Sequence, residues 1–204
     1  MNQESSAKPL KKSQITRKLI LDAAADLFSS RGYNATPLRE IAAVANMKAG
    51  SLYYHFDSKE SLMLEILNIG IERIAGSVSE QIKRLPEGAG FRKVFEAAIL
   101  GHLKAILEYG DYASTNIRNY GQIPVRVRHA ALPVREGYEK QWLAILEKGQ
   151  KEGAIAEGVN VGLVLLTLLG GMNWASEWYR PGGGLTIEEI AEGQARIFLQ
   201  GLSG

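Results

Sequence analysis

Between Lys48 and Phe56 the sequence reads KAGSLYYHF. An ammonium (Lys48), a hydroxyl (Ser51), two phenols (Tyr53, Tyr54) and an imidazole (His55) fall within nine positions. Groups of these types hydrogen-bond phosphate oxygens and base edges. Ala49, Gly50 and Ser51 lack bulk, so the N-terminal end of a helix here can press against a partner. Leu52 and Phe56, four apart, share a helix face and are expected to anchor it inward. Lys59 falls in the first turn of the next helix, where free backbone N–H groups and an ammonium suit a phosphate.

Other chemistries find little support. The chain has no cysteine, which excludes disulfides, thiol nucleophiles and Cys-based zinc sites. No GxSxG, HExxH or paired-carboxylate motif occurs in a convincing setting, so catalysis is not expected. The glycine-rich RPGGG of residues 180–184 follows a helix rather than a strand and reads as a turn. His102 sits on an apolar helical face without a partner four residues away, which suits packing or ligand lining rather than a metal. His129 reads as a surface residue. No cofactor or metal is expected.

The elements that must position KAGSLYYHF are helical. Ile15, Leu19, Ala23, Leu27 and Phe28 form one expected face, and Gly32 marks a stop. Thr36-Pro37 reads as an N-cap followed by proline at the first helical position. Leu38, Ile41, Ala42 and Ala45 make a short second face, and Asn46 tolerates the left-handed turn that follows. Asp57-Ser58-Lys59-Glu60 offers the cap of a long helix carrying Leu62, Ile66, Leu67, Ile74, Val78 and Ile82. A helix over Phe91–Leu107 follows. Residues 109–133, with Gly110, Gly121, Pro124 and Pro133, read as short or irregular helices. Further helices are expected over Val134–Glu152, over 160–178 and over 185–202, the last opened by a Thr186/Glu189 capping box. No strand pattern appears. The chain is all-α, with a tail over 1–13, a three-helix unit over 14–57 and a helical body over 58–204.

Charge divides along the same boundary. Residues 1–60 hold nine Lys/Arg against six Asp/Glu, and the remaining 144 hold fifteen against sixteen. Lys8, Lys11, Lys12, Arg17 and Lys18 face Glu4 alone in the first eighteen residues. A basic N-terminal part on a neutral body suits a polyanion. The apolar run over 161–175 is shorter than the ~20 residues of a bilayer span, and the polar N-terminus lacks a signal-peptide core. A cytoplasmic location without membrane contact is the expectation.

Two short helices joined by a tight turn around Asn46 match the helix-turn-helix, whose second helix enters the major groove. The stretch TRKLILDAAADLFSSRGYNATPLREIAAVANMKAGSLYYHFDSKESL closely resembles the DNA-binding domain of TetR-type transcriptional regulators. The resemblance rests on Ala24, Phe28, Gly32, Thr36, Ile41-Ala42, Gly50, Leu52-Tyr53, His55-Phe56 and Ser58-Lys59-Glu60. It implies DNA contacts by Thr36, Lys48, Ala49, Gly50, Tyr53, Tyr54, His55 and Lys59, to which Arg39 and Ser51 of the same unit are added. Asn46 stands where the family usually has Gly, and Lys48 where it often has a capping Ser or Thr. GYNAT and LYYHF are most similar to multidrug-sensing members.

At the other end, NWASEWYRPGGGLTIEEIAEGQARIFLQGL is similar to repressors of fatty-acid or sterol degradation, several of which respond to acyl-coenzyme A thioesters. The resemblance implies a small-molecule effector and a homodimer on a double-stranded operator. Trp174 and Trp178 share a helix face beside Tyr179 and Arg180; they either line a ligand chamber or pack a dimer interface. Tyr109, Tyr112, Asn116, Arg118 and Tyr120, with His102, are the other candidate lining. Arg118, Arg126, Arg128 and Arg180 are the cations available to an anionic head group. The apolar 160–178 helix, paired with the last one, predicts a self-complementary four-helix contact.

Overall fold

The computed structural model describes residues 11–108 and 110–202, with Arg118 described in its backbone alone; the expected tail contacts up to residue 10 and Tyr109 lie outside the described residues. Nine helices make up the described regular structure: α1 (Lys12–Arg31), α2 (Leu38–Val44), α3 (Ala49–Tyr53), α4 (Lys59–Lys83), α5 (Phe91–Leu107), α6 (Asp111–Arg118), α7 (Val125–Lys151), α8 (Val161–Trp178) and α9 (Ile187–Leu202).

Helices α1 to α3 form a head. α1 starts at Lys12, inside the stretch expected as tail, and ends at Gly32, whose φ of 87° lies in the region glycine enters without a Cβ penalty. Its inward face is Ile20, Ala24, Leu27 and Phe28 rather than one beginning at Ile15, because Ile15 and Leu19 stay exposed. At that end Arg17 takes the inward position, with its guanidinium 4.4 Å from the Phe56 ring centroid and paired with Glu65. Thr36 does not cap α2. It is fully buried, and its hydroxyl donates to the Gly32 carbonyl at 2.9 Å and the Leu27 carbonyl at 3.3 Å; Pro37 takes the cap position. Asn46 adopts φ 54°, the left-handed turn expected between the second and third helices.

Ser58 then caps α4, accepting the Ser61 N–H at 3.0 Å. The head core is closed by Tyr112, Ile123 and Val127 from further along the chain, so head and body share side chains.

In the body, α4 and α5 come into close contact at Gly101, where a Cβ would stand 2.6 Å from the Val78 Cα. α7 begins at Val125 instead of Val134 and runs through Pro133. Proline forfeits one backbone N–H there, but the residues before and after it keep helical spacing, and Tyr138, Trp142 and Leu146 are buried. The Thr186/Glu189 box forms as expected: Glu189 N–H donates to the Thr186 hydroxyl at 3.1 Å, and the Glu189 carboxylate accepts the Thr186 N–H at 2.7 Å. No described helix is long and apolar enough to cross a membrane.

Candidate nucleic-acid interface and internal cavity

The α3 segment divides its residues by face. Leu52 is fully buried and Phe56 nearly so, while Tyr54 is 85% exposed and Tyr53 56% exposed. Arg39, Lys48, Ala49, Gly50 and Ser51 are also exposed, and His55 and Lys59 are half-buried. A Cβ added at Gly50 would meet nothing within 4 Å, so this end of α3 faces open space. The Tyr54 and His55 rings sit edge to face, 5.3 Å apart, which orders the two polar tips. The Lys59 ammonium lies 4.2 Å from the Tyr33 ring centroid, and burial pulls its pKa down. Thr36 is the expected contact residue that the fold does not present, since its hydroxyl is spent inside the head.

The head is tied to the body through one side of α6. Tyr112 donates its hydroxyl to Asp22 at 2.8 Å, and burial together with that carboxylate pushes the Tyr112 pKa far up. Thr115 is buried, and its hydroxyl lies within reach of the Ala25 carbonyl at 3.3 Å. Asn119, just past the helix, accepts the Tyr33 N–H at 2.6 Å and donates to the Phe28 carbonyl at 2.9 Å. Asn119 satisfies backbone atoms where α1 ends, and Tyr112 and Thr115 reach points further back along the same helix, so hydrogen bonds hold α1 to the α6 segment. A second tie joins Arg126 to Glu60 at the start of α4.

The other side of α6 borders a cavity of about 220 Å³. Asn116, Ile117 and Tyr120 form this wall. Leu67, Asn68, Ile71 and Ile74 of α4, His102 of α5, Leu169 and Asn173 of α8, and Arg128, Ala131, Leu132, Arg135, Tyr138 and Glu139 of α7 complete the lining. Apolar side chains predominate, with a few convergent polar groups, the usual make-up of a ligand pocket. The guanidinium groups of Arg128 and Arg135 each lie 5.2 Å from the Tyr120 ring centroid. Arg135 Nε donates to Glu139 at 3.1 Å. Arg128 Nε and Asn68 Oδ1 are buried and have no partner among the described residues.

His102, Asn116 and Tyr120 of the expected lining therefore meet at the cavity, and Tyr112 does not, its hydroxyl being turned to Asp22. Trp174 and Trp178 are 66% and 44% exposed and stand outside it. Arg180 is exposed and donates to the Glu177 and Tyr179 carbonyls, and Tyr179 packs against the body core. Sequence reading missed Asn68, Arg135, Tyr138 and Asn173. A helix broken at Pro133 separates Arg128 from Arg135; in the continuous α7 they are seven apart, on one face.

Comparisons with known proteins cover both parts of the chain. A family model of bacterial regulatory proteins, tetR family, matches residues 20–66, and one for a tetracyclin repressor-like C-terminal domain matches residues 91–202. The HTH-type transcriptional repressor KstR2 of Rhodococcus jostii is 33% identical over 195 residues, 92% of this chain and 91% of that protein. The solved structure of the ketosteroid transcriptional regulator KstR2 of Mycobacterium tuberculosis superposes with a TM-score of 0.73 at 26% identity, covering 96% of this chain and 97% of that one. The TetR family regulator PfmR of Thermus thermophilus gives a TM-score of 0.74 at 27% identity, over 89% and 97%.

Proposed function

The chain belongs to the TetR family of DNA-binding transcriptional regulators, and we propose that it is a homodimeric cytoplasmic repressor released from a palindromic operator by a mainly apolar acyl compound. One observation carries the reading: α6 ties the head with Tyr112, Thr115 and Asn119 and borders the cavity with Asn116, Ile117 and Tyr120. A ligand that displaces α6 therefore acts on α1 through hydrogen bonds rather than through a loop. Such a ligand must bind better to the arrangement whose recognition helices are misplaced for the operator.

On the DNA side, Tyr53, Tyr54, His55 and Ser51 read or position the duplex, Gly50 and Ala49 allow close approach, and Arg39, Lys48 and Lys59 meet phosphates. For the second copy, the exposed faces of α8 and α9 are the natural seat. Leu163, Leu166 and Trp174 of α8 and Ile197 of α9 are all more than 60% exposed, and Gly170 and Gly171 open onto empty space. Burial of that face against its own copy removes an apolar surface from water without a new partner.

On the ligand side, the volume lies below the ~300–1,000 Å³ of pockets that enclose whole drug-sized molecules. It suits a compact fatty or polycyclic acyl part, with a coenzyme A portion left at the rim beside Arg128 and Arg135. The kinship with KstR2, whose structure is that of a ketosteroid regulator, supports the polycyclic end of this range. A lipophilic cation is the rival effector. It would meet Arg128 and Arg135, with Glu139, the one carboxylate in the lining, already paired to Arg135.

The test is a panel of acyl-coenzyme A thioesters and dye-like cations against the protein bound to its operator. Release by thioesters supports the reading, and release by cations alone contradicts it.

A further inference from the structure

The deep end of the cavity carries a directional chain of hydrogen bonds. His102 is fully enclosed; its Nδ1 lies 2.6 Å from the Tyr138 hydroxyl and its Nε2 lies 3.1 Å from the Asn173 Oδ1. All three residues line the cavity. Asn173 Oδ1 only accepts, so Nε2 carries the imidazole proton and donates it. Nδ1 is then a bare acceptor, and the Tyr138 O–H donates to it. Burial pulls the His102 pKa down to about 4, so the ring stays neutral and this order of donors persists at neutral pH. Tyr138 has thereby spent its proton, so its oxygen can only accept; the Trp142 indole N–H approaches one of its lone pairs, and the other is left for a ligand. Asn68 Oδ1, buried in the same lining without a partner, is an acceptor in want of a donor.

The other polar vacancy has the opposite sense. Arg128 Nε is a buried donor without an acceptor, and Arg128 stands ten residues before Tyr138, about 15 Å along α7. A buried unpaired polar group is costly, so the lining favours a ligand that supplies each missing partner. A donor is needed towards Asn68, the remaining lone pair of Tyr138 accepts one and repels a carbonyl, and an acceptor is needed towards Arg128. An ammonium would be a poor donor here, since two of the three charged side chains lining the cavity are arginines. A neutral hydroxyl fits.

We propose that the cavity selects hydroxylated acyl compounds over their ketone counterparts, with the ligand hydroxyl donating to the Tyr138 oxygen and the ligand acyl carbonyl accepting from Arg128. This rests on the reading of the cavity as the effector site. Tyr138 is the specificity-determining residue, and His102 is a positioning residue that fixes the direction of its proton.

The experiment is calorimetric binding of 9-hydroxydecanoyl-, 9-oxodecanoyl- and decanoyl-coenzyme A to the full chain, its variants and a cavity-filled control. The parent should bind the hydroxy thioester about tenfold or more tightly than the oxo one. In His102→Leu, Tyr138 is free to donate, and the oxo thioester should draw level or bind more tightly. In Tyr138→Phe, which keeps the ring packing, the hydroxyl preference should shrink while decanoyl-coenzyme A binds as before. Equal binding of hydroxy and oxo compounds to the parent, or an undiminished preference in both variants, overturns the inference. Leu169→Trp, which fills the cavity, should abolish binding of all three. Binding that is blocked by Leu169→Trp yet blind to the hydroxyl leaves the effector site standing and removes this inference alone. Binding of none of the three, or binding indifferent to Leu169→Trp, removes both.

Discussion

The side-chain oxygen of Asn119 accepts the Tyr33 backbone N–H at 2.6 Å, joining residues 86 positions apart across the boundary between body and head. The same amide donates to the Phe28 carbonyl, and the side chain is almost fully buried. One residue thus holds the end of α1 on the rim of the helix that borders the cavity. Asn119→Leu keeps the branched shape, leaves the Tyr33 N–H unpaired and removes one of the two donors to the Phe28 carbonyl, which still accepts the Gly32 N–H. It should cost about 1–3 kcal/mol in urea unfolding. If the tie transmits, the variant's operator affinity should also respond less to effector than the parent's does. An unchanged stability and an unchanged response would assign the transmission elsewhere.

Gly70 marks where α4 and α6 touch. A Cβ there would fall 2.3 Å from Asn116 Nδ2 and 2.4 Å from the Tyr112 carbonyl oxygen, the latter being backbone that cannot swing aside. Gly70→Ala should therefore wedge the two helices apart, with a stability loss of about 1–3 kcal/mol. Operator affinity should fall even without effector, because α4 carries Lys59 and α6 carries the ties to α1. Operator titrations of the folded variant check this.

Stability should depend on pH through His102. Its folded pKa is about 4 against an ordinary 6.5, so between these values the unfolded chain binds a proton that the folded chain refuses. Stability therefore falls as pH drops from about 6.5 towards 4, by up to about 3 kcal/mol, and is unaffected by this group at higher pH. His102→Gln should lack that portion of the slope. Urea unfolding at pH 7.5 and pH 5 for both proteins gives the comparison.

The two sides of α3 should separate binding from folding. Tyr54→Ala should leave unfolding within about 0.5 kcal/mol of the parent while weakening operator binding. Lys59→Ala should also flatten the dependence of log affinity on log salt by about one unit. Leu52→Ala, at a fully buried position, should cost about 2–5 kcal/mol of stability.

The head was legible from residue types because its signals are local. The Asn46 turn, the Ser58 cap and the inward Leu52 and Phe56 each depend on neighbours within a few positions. Thr36 misled because a threonine before proline has the look of a cap, whereas the fold offers its hydroxyl two carbonyls of the preceding helix end. The cavity was only partly legible. His102, Asn116 and Tyr120 stood out by type, but Asn68, Tyr138 and Asn173 reach it from three separate helices, which no spacing announces. Pro133 hid the Arg128–Arg135 pair by suggesting a break that the helix does not make. Trp174 and Trp178 were conspicuous for their size, yet they face outward and stand outside the cavity.

The most direct test is selection of bound fragments from a pool of random duplexes, using the full chain at moderate salt. A two-fold-related pair of half-sites should emerge, spaced for two recognition helices entering successive major grooves on one side of the duplex. Tyr54→Ala should fail to enrich it. Enrichment of no sequence at any salt, or of an asymmetric site that Tyr54→Ala selects equally well, would contradict the dimeric repressor and its recognition helix together.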